Sequence, residues 1–251
     1  MRRTHVLVSG AGVAGATAAY WLHRHGMEVT VVERAPAPRP GGQAVDVRGP
    51  ACEVAARTGV LDDLRAARTA MRGVSFVDDE GAETYSSTAS SLTGGPTDGP
   101  DVEILRDDLT AILLGAVPDD VEIVFGDRVT GLVQDPDGVD VSFARGAPRR
   151  FDVVLGADGA HSGVRALTFG PDEEFVHELG SHVAVFGAPN EFGLDRWQTF
   201  RQTPGTPPSR IAVRSSRRIS TSRPAVGPPV RLDAVLEYTT APAAETKETP
   251  R

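Results

Sequence analysis

Residues 5–34, HVLVSGAGVAGATAAYWLHRHGMEVTVVER, decide the fold of this chain. An apolar run of strand length, residues 4–9, leads into the turn Gly10-Ala11-Gly12-Val13-Ala14-Gly15. A helix-length segment follows to about residue 25, and a second β-branched run over residues 27–33 ends in Glu33. A Gly-x-Gly-x-x-Gly turn between a strand and a helix, with an acid closing the next strand, is typical of a dinucleotide-binding βαβ unit. The sequence therefore predicts an α/β fold with a parallel sheet.

Each glycine of this turn has its own physical reason. Gly10 allows a sharp turn off the strand, because glycine tolerates backbone angles that a side chain forbids. Gly12 leaves room for a pyrophosphate, and Gly15 lets the helix pack close to the strand. Glycines that merely end an ordinary strand would explain the turn but not Glu33, which is placed to accept the hydroxyls of an adenosine ribose. The candidate cofactor-binding residues of this unit are Gly10, Ala11, Gly12, Val13, Ala14, Gly15, Glu33 and Arg34.

The length, composition and charge of the chain argue against several classes of protein. The 251 residues suffice for one large domain or two small ones, and no apolar run is long enough to span a membrane. Cys52 is the only cysteine and the six histidines are scattered, so we expect a cytoplasmic protein without internal disulfides or a metal site. A net charge of −8 argues against nucleic-acid binding. Three glycines interrupt the apolar stretch after Arg2-Arg3, which argues against a signal peptide.

The rest of the chain alternates between helical and strand patterns. Helical spacing is predicted over residues 51–70 with a break at Gly59, and a second helix opens at residues 103–109 and runs to about residue 115. Strands are predicted over residues 73–77, 83–86, 121–125, 129–134 and 139–143. We assign residues 1–70 and 101–165 to a discontinuous cofactor-binding domain, residues 71–100 and 166–203 to a partial substrate domain, and residues 204–251 to a tail.

Three motifs in this order resemble the class A FAD-dependent monooxygenases, the flavoprotein aromatic hydroxylases. They are the glycine turn with Glu33-Arg34, Leu105-Arg106-Asp107-Asp108-Leu109 at a helix start, and Gly156-Ala157-Asp158-Gly159-x-x-Ser162-x-Val164-Arg165. The segment from Gly41-Gly42 to Asp46 is similar to the tetracycline-modifying and polyketide-hydroxylase branch of that family. The resemblance covers about residues 4–203.

This resemblance implies a Rossmann-like FAD-binding domain with an incomplete antiparallel β-sheet substrate domain. In such proteins Glu33 would bind the adenosine ribose of FAD and Arg106 its diphosphate, Asp46 would lie near the flavin, and Asp158 would serve FAD and nicotinamide binding. NADPH or NADH would be the cosubstrate, and an aromatic or polyketide-type small molecule would be hydroxylated with O₂. No Ser-His-Asp or paired-carboxylate arrangement is evident, so no catalytic residue is assigned and the chemistry belongs largely to the cofactor.

The chain also departs from the family pattern. The family's later Gly-Asp-Ala-Ala-His motif is absent, and Gly126-Asp127 is interpreted as the end of a strand. Residues 1–203 carry a net charge of −12 and residues 204–251 a net charge of +4, and Pro, Arg, Ser, Thr and Ala supply 32 of those last 48 residues. Because arginine outnumbers lysine 25 to 1, as expected of a GC-rich gene, we interpret residues 204–251 as a frameshifted or disordered end.

Two alternative functions stay open at this point. One is a truncated, non-catalytic flavoprotein remnant with weak or no FAD binding. The other is an NAD-dependent dehydrogenase, because the unit from Gly10 to Glu33 alone cannot separate NAD from FAD. The motifs at Arg106 and Asp158 argue against the dehydrogenase.

Overall fold

The computed structural model describes residues 2–91, 95–96, 98–177, 181–187, 193–201, 210–214 and 233–240. The strands are β1 (His5–Ser9), β2 (Glu28–Glu33), β3 (Ala44–Val47), β4 (Gly73–Val77), β5 (Glu83–Ser87), β6 (Ser90–Ser91), β7 (Gly95–Pro96), β8 (Val102–Leu105), β9 (Glu122–Phe125), β10 (Val129–Asp135), β11 (Gly138–Phe143), β12 (Arg149–Phe151), β13 (Val153–Gly156), β14 (Ser181–Gly187), β15 (Trp197–Arg201), β16 (Arg210–Arg214) and β17 (Asp233–Thr240). The helices are α1 (Val13–Arg24), α2 (Pro50–Thr58), α3 (Leu61–Ala66), α4 (Arg106–Ala116) and α5 (Gly163–Thr168), with a 3₁₀ turn at Asp172–Glu174.

The chain divides into two compact units. Unit 1 comprises residues 1–40, 48–67 and 106–177, and unit 2 comprises residues 41–47, 68–105 and 178–251. The observed division differs from the predicted one at residues 41–47, 68–70 and 101–105, which lie in unit 2, and at residues 166–177, which lie in unit 1. Residues 204–251, predicted as a separate tail, are grouped with unit 2. Strands β3 and β8, within residues 41–47 and 101–105, pair with each other.

A four-stranded parallel sheet forms the centre of unit 1, in the order β13-β1-β2-β9. Strand β1 pairs along both of its edges, with β13 and with β2, and its apolar run Val6-Leu7-Val8 is buried, as expected for an inner strand of a parallel sheet. Leu7 is 0% exposed. The predicted α/β fold with a parallel sheet is thereby confirmed.

An antiparallel sheet of β10, β11 and β12 completes the strands of unit 1. The turn at Asp135–Gly138 joins β10 to β11, as the residues Asp-Pro-Asp-Gly predict. One apolar cluster connects this sheet to the parallel one, and its buried members are Leu7, Val32, Val129, Val141, Phe151 and Val164.

Two helix predictions differ from the structure in detail. The predicted helix over residues 51–70 is two helices, α2 and α3, separated by Gly59, which has the left-handed φ of +86° that the predicted break requires. The prediction that residues 103–105 begin a helix was wrong. They belong to β8, which pairs antiparallel with β3 through Asp46 and Glu103, and the helix α4 begins only at Arg106.

Unit 2 is built on a six-stranded sheet in the order β14-β17-β16-β15-β4-β5. All pairs are antiparallel except β15 with β4. Phe76 and Phe200 stack with ring centroids 5.2 Å apart, and Trp197 donates its indole N–H to Ser75 Oγ at 2.8 Å. The strands β16 and β17 lie in the segment where no strand was predicted, and the rest of residues 204–251 lies outside the described residues.

Candidate cofactor site

The carboxyl ends of the parallel strands of unit 1 surround a cleft of about 370 Å³. Its walls are the glycine turn after β1, the end of β2, the start of α4, the end of β9 and the turn after β13. This position is where open parallel sheets bind ligands, and the volume is in the range of small-molecule sites.

The three glycines of the turn have different surroundings. Gly10 has a φ of +108°, and a Cβ placed on it would lie 2.4 Å from the carbonyl oxygen of Ala157. A Cβ on Gly15 would lie 1.8 Å from the carbonyl oxygen of Gly10, so helix α1 packs directly on the turn. Gly12 is different, because a Cβ placed there would meet no atom within 4 Å and its φ of −76° suits any residue. Folding therefore requires glycine at 10 and 15, and the open space beside Gly12 suits a bound group.

The amino terminus of α1 opens on this space. Gly12 is the N-cap residue, it provides no side-chain cap, and the first turn contains no acidic residue. The first N–H groups of a helix have no partner within the helix, and together with the helix dipole they favour an anion. A diphosphate fits this arrangement.

Glu33 is fixed in place at the end of β2. Its Oε2 accepts the backbone N–H of Ala11 at 2.9 Å, and its Oε1 accepts that of Ala35, also at 2.9 Å. Each carboxylate oxygen can accept more than one hydrogen bond, so both retain capacity for the hydroxyls of a ribose. Arg34, the next residue, also lines the cleft.

The start of α4 brings a cation and an acid to the cleft. Arg106 and Asp107 line it, and Asp108, the next residue of the helix, is half-buried. Burial, and then the charge of Asp107, raise the pKa of Asp108 to about 6. The guanidinium of Arg106 provides forked N–H donors, which suit phosphate oxygens.

Asp158 organises the turn that follows β13. Its carboxylate accepts the hydroxyl of Ser162 and the backbone N–H groups of Gly163 and Val164, at 2.9 and 3.2 Å for the two N–H groups. Ser162 in turn caps α5 by accepting the N–H of Arg165 at 3.1 Å. Asp158 therefore supports the wall of the cleft that it also lines.

His161 lies in the same turn and lines the cleft. Its Nδ1 lies 2.8 Å from Asp172 Oδ2, and Arg165 bonds both Asp172 and the carbonyl oxygen of Ala160. Hydrogen bonds from His161 and Arg165 hold the pKa of Asp172 below its usual value.

The structure brings nearly all of the predicted site residues together. Those that line the cleft are Gly10, Ala11, Gly12, Val13, Ala14, Glu33, Arg34, Arg106 and Asp158. Gly15 packs beneath the turn, and Asp46 lies in unit 2 on β3, paired with Glu103. The role of Asp46 near a flavin stays a prediction.

Several residues that line the cleft were not predicted from the sequence as part of the site. Phe125 is the last residue of β9, Asp127 and Arg128 lie just after it, and all three line the cleft. The rule that ligands bind at the carboxyl ends of parallel strands could have indicated them once residues 121–125 were predicted as a strand. Among the described residues, no group of three or more His, Cys, Asp or Glu side chains could hold a metal ion, and none of the described helices has the length and apolarity to cross a membrane.

Comparisons with known proteins agree with this geometry. The sequence matches the FAD binding domain family over residues 3–229. An uncharacterized protein of Mycobacterium tuberculosis strain H37Rv is 51% identical over 221 residues, which is 88% of this chain and 59% of that protein. A flavin-dependent monooxygenase of an unknown prokaryotic organism is 36% identical over 194 residues, 77% of this chain and 50% of that protein.

A solved structure shows the same fold. Tetracycline destructase Tet(51) superposes with a TM-score of 0.77 and 28% identity, over 97% of this chain and 58% of that one. The chain therefore spans about half to three fifths of the length of these relatives.

Proposed function

The chain belongs to the FAD binding domain family, and from that premise we propose that it holds the adenosine diphosphate end of FAD in a flavin-dependent monooxygenase. FAD is the cofactor of that family. The proposed reaction uses NADPH or NADH and O₂ to hydroxylate an aromatic or polyketide-type small molecule. Support for the reaction class comes from the monooxygenase relatives, and support for a polycyclic substrate comes from the likeness to a tetracycline destructase.

The space beside Gly12 is the observation that carries the cofactor proposal. It lies at the amino terminus of α1, whose uncapped N–H groups favour phosphate oxygens. Glu33 closes one side of the same cleft with a carboxylate already oriented by two backbone N–H groups. A group with a diphosphate and a ribose bearing free hydroxyls meets both requirements.

The residues of the cleft divide the work of binding. We assign the diphosphate to the first turn of α1 and to Arg106, and the adenosine ribose to Glu33. Asp158 keeps the turn after β13 in position against the cofactor. When bound, FAD would supply the redox chemistry of the proposed reaction with the nicotinamide and O₂. The protein supplies orientation, and no side chain of the cleft is assigned a proton transfer.

Purified 251-residue protein tests this proposal directly. We expect it to quench the fluorescence of added FAD with a saturable titration, and the FAD-loaded protein to oxidise NADPH or NADH with consumption of O₂. NAD⁺ added instead of FAD should bind at least about tenfold more weakly. FAD binding without NAD(P)H oxidation would retain the cofactor assignment and favour a non-catalytic flavoprotein. Tight NAD⁺ binding without FAD binding would replace the proposal with the dehydrogenase.

A further inference from the structure

Asp127, two residues after β9, is a buried carboxylate to which the proposed function gives no role. It is 6% exposed and lines the cleft. Its Oδ1 accepts the backbone N–H groups of Arg128 and Arg145 at 2.8 and 3.0 Å, and its Oδ2 accepts that of Gly146 at 2.8 Å. The carboxylate thereby ties the loop after β11 to the end of β9.

These hydrogen bonds keep Asp127 ionised. Burial alone would raise the pKa of its carboxyl, but the backbone N–H groups, chiefly those of Gly146 and Arg128, lower it below its usual value. A buried carboxylate whose oxygens are satisfied by main-chain N–H groups is rigid, because moving the loop would leave a buried charge without partners.

Main-chain hydrogen bonds connect Asp127 to Glu33. The N–H of Asp127 donates to the carbonyl oxygen of Glu33 at 3.1 Å, and the N–H of Gly126 donates to that of Ala35 at 2.8 Å. The N–H of Ala35 donates to Glu33 Oε1 at 2.9 Å. The end of β9 therefore fixes the corner after β2 from which the Glu33 carboxylate projects.

We propose that Asp127 is a positioning residue for the adenosine end of the cofactor, acting through Glu33. Its carboxylate anchors the end of β9 from outside the parallel sheet, and the end of β9 then holds the Glu33–Ala35 corner in the geometry that accepts a ribose. The proposal rests on the proposed function, because it requires the adenosine half of FAD to occupy this cleft. Such preorganisation strengthens binding by reducing what must be ordered when the ligand arrives.

The test measures the dissociation constants of FAD, by fluorescence quenching, and of ADP, by competition with FAD, on the full chain. Asp127→Ala should raise both constants by a similar factor, roughly tenfold, which corresponds to about 1.4 kcal/mol. Equal factors are expected because ADP contains the adenosine end alone. Asp127→Asn keeps one acceptor oxygen and should lie between the wild type and Asp127→Ala.

A double-mutant cycle with Glu33→Gln separates positioning from general stability. If Asp127 acts through Glu33, Asp127→Ala should change the FAD constant less than about twofold in the Glu33→Gln background. A merely structural role would lower the melting temperature and leave the two effects additive. Additive effects on binding would overturn the proposal.

Two further variants keep the test decisive if Asp127→Ala fails to fold. Gly146→Ala retains the carboxylate but places a Cβ 3.1 Å from Asp127 Oδ2, so it should weaken FAD binding about threefold by displacing the loop. Asp152→Ala is the matched control, because Asp152 also binds a backbone N–H, that of His5 at 2.7 Å, at the opposite end of the sheet. It should lower stability and leave FAD binding unchanged.

The outcomes distinguish this proposal from the proposed function. A wild-type chain that binds neither FAD nor ADP refutes the cofactor site itself. If the wild type, Asp127→Asn and Gly146→Ala all bind FAD equally tightly, the positioning role is refuted and the cofactor site stands.

Discussion

Glu33 Oε2 accepts the backbone N–H of Ala11 at 2.9 Å, which fastens the end of β2 to the middle of the glycine turn. The two segments that would hold the ribose and the diphosphate of one ligand are thus joined before the ligand arrives. A change at Glu33 should therefore affect the shape of the cleft as well as its hydrogen-bonding capacity.

Replacing Glu33 should weaken cofactor binding and stability together. Glu33→Ala removes the acceptor of two backbone N–H groups, and we expect it to lower the free energy of unfolding by about 1–3 kcal/mol. It should raise the dissociation constant of FAD at least about tenfold, since the ribose also loses its acceptor. Glu28→Gln, at the exposed start of the same strand, is the control and should change neither quantity. Equal FAD affinities in the two variants would contradict the assignment.

Gly12 should tolerate a side chain in the free protein but not in the complex. We expect Gly12→Val to keep the melting temperature within a few degrees and to raise the FAD dissociation constant about a hundredfold or more, because its side chain would occupy the space beside the turn. Gly115→Ala adds a methyl group at another open position, inside α4. It should stabilise the protein by up to about 1 kcal/mol and leave FAD binding unchanged. Undiminished FAD binding by Gly12→Val would place the diphosphate elsewhere.

Arg106 should contribute both charge and geometry to binding. Arg106→Gln removes the cation, and we expect the FAD dissociation constant to rise about tenfold. Arg106→Lys retains the charge without the forked donors and should recover only part of that loss. Arg65→Gln, on the exposed surface of α3, serves as the comparison in the same titrations. A loss of binding in Arg65→Gln equal to that in Arg106→Gln would indicate a general effect of net charge.

Asp108 should make stability depend on pH in the acidic range, between the unfolded pKa of 3.8 and the folded pKa of about 6. Its pKa is raised to about 6 in the folded chain, so the folded state holds the proton more tightly than the unfolded state does. The stability from this group is fully present below the unfolded pKa and is lost as the pH rises through about 6. The pKa shift of Asp108 alone corresponds to about 3 kcal/mol in the free energy of unfolding. Solvent screening at this half-buried site reduces the expected change to about 1 kcal/mol.

Melting temperatures at pH 5 and pH 8 would measure this effect. Asp108→Asn cannot ionise, and its gain in stability over the wild type should therefore be about twice as large at pH 8 as at pH 5, because the wild type loses stability from the unfolded pKa upward until the pH passes about 6. Asp62→Asn, at an exposed position in the first turn of α3, is the control. Its melting temperature should change between the two pH values by as much as that of the wild type. If the difference in stability between Asp108→Asn and the wild type is the same at both pH values, the carboxylate of Asp108 is not the source of the pH dependence.

Local patterns explain why the opening unit could be predicted from the sequence. The predicted elements at residues 4–9, 14–25 and 27–33 match β1, α1 and β2 to within one residue at every end, because the apolar runs and the glycines act on their immediate neighbours. The division between residues 102–105 and Arg106 was missed, since it depends on the pairing of β8 with β3. Residues 103–105 carry no signal that separates a strand from the first turn of a helix.

Long-range contacts account for what the sequence could not predict. The parallel pairing of β15 with β4 brings the indole N–H of Trp197 within hydrogen-bond distance of Ser75 Oγ, 122 residues earlier in the chain. The anchoring of the loop at Arg145 and Gly146 by Asp127 is similar, because an acid after a glycine at a strand end looks like any turn residue. Such roles become visible only when the folded chain brings the partners together.

Gly12 also offers a way to detect the ligand through genetics. A library selected only for folded protein should reject side chains at positions 10 and 15, where a Cβ would overlap backbone atoms, and should accept them at position 12. A library selected for cofactor-dependent colour or turnover should reject them at all three positions. Positions that accept side chains in the first library but reject them in the second are constrained by a ligand and not by folding. This comparison would identify them without the purification of any variant.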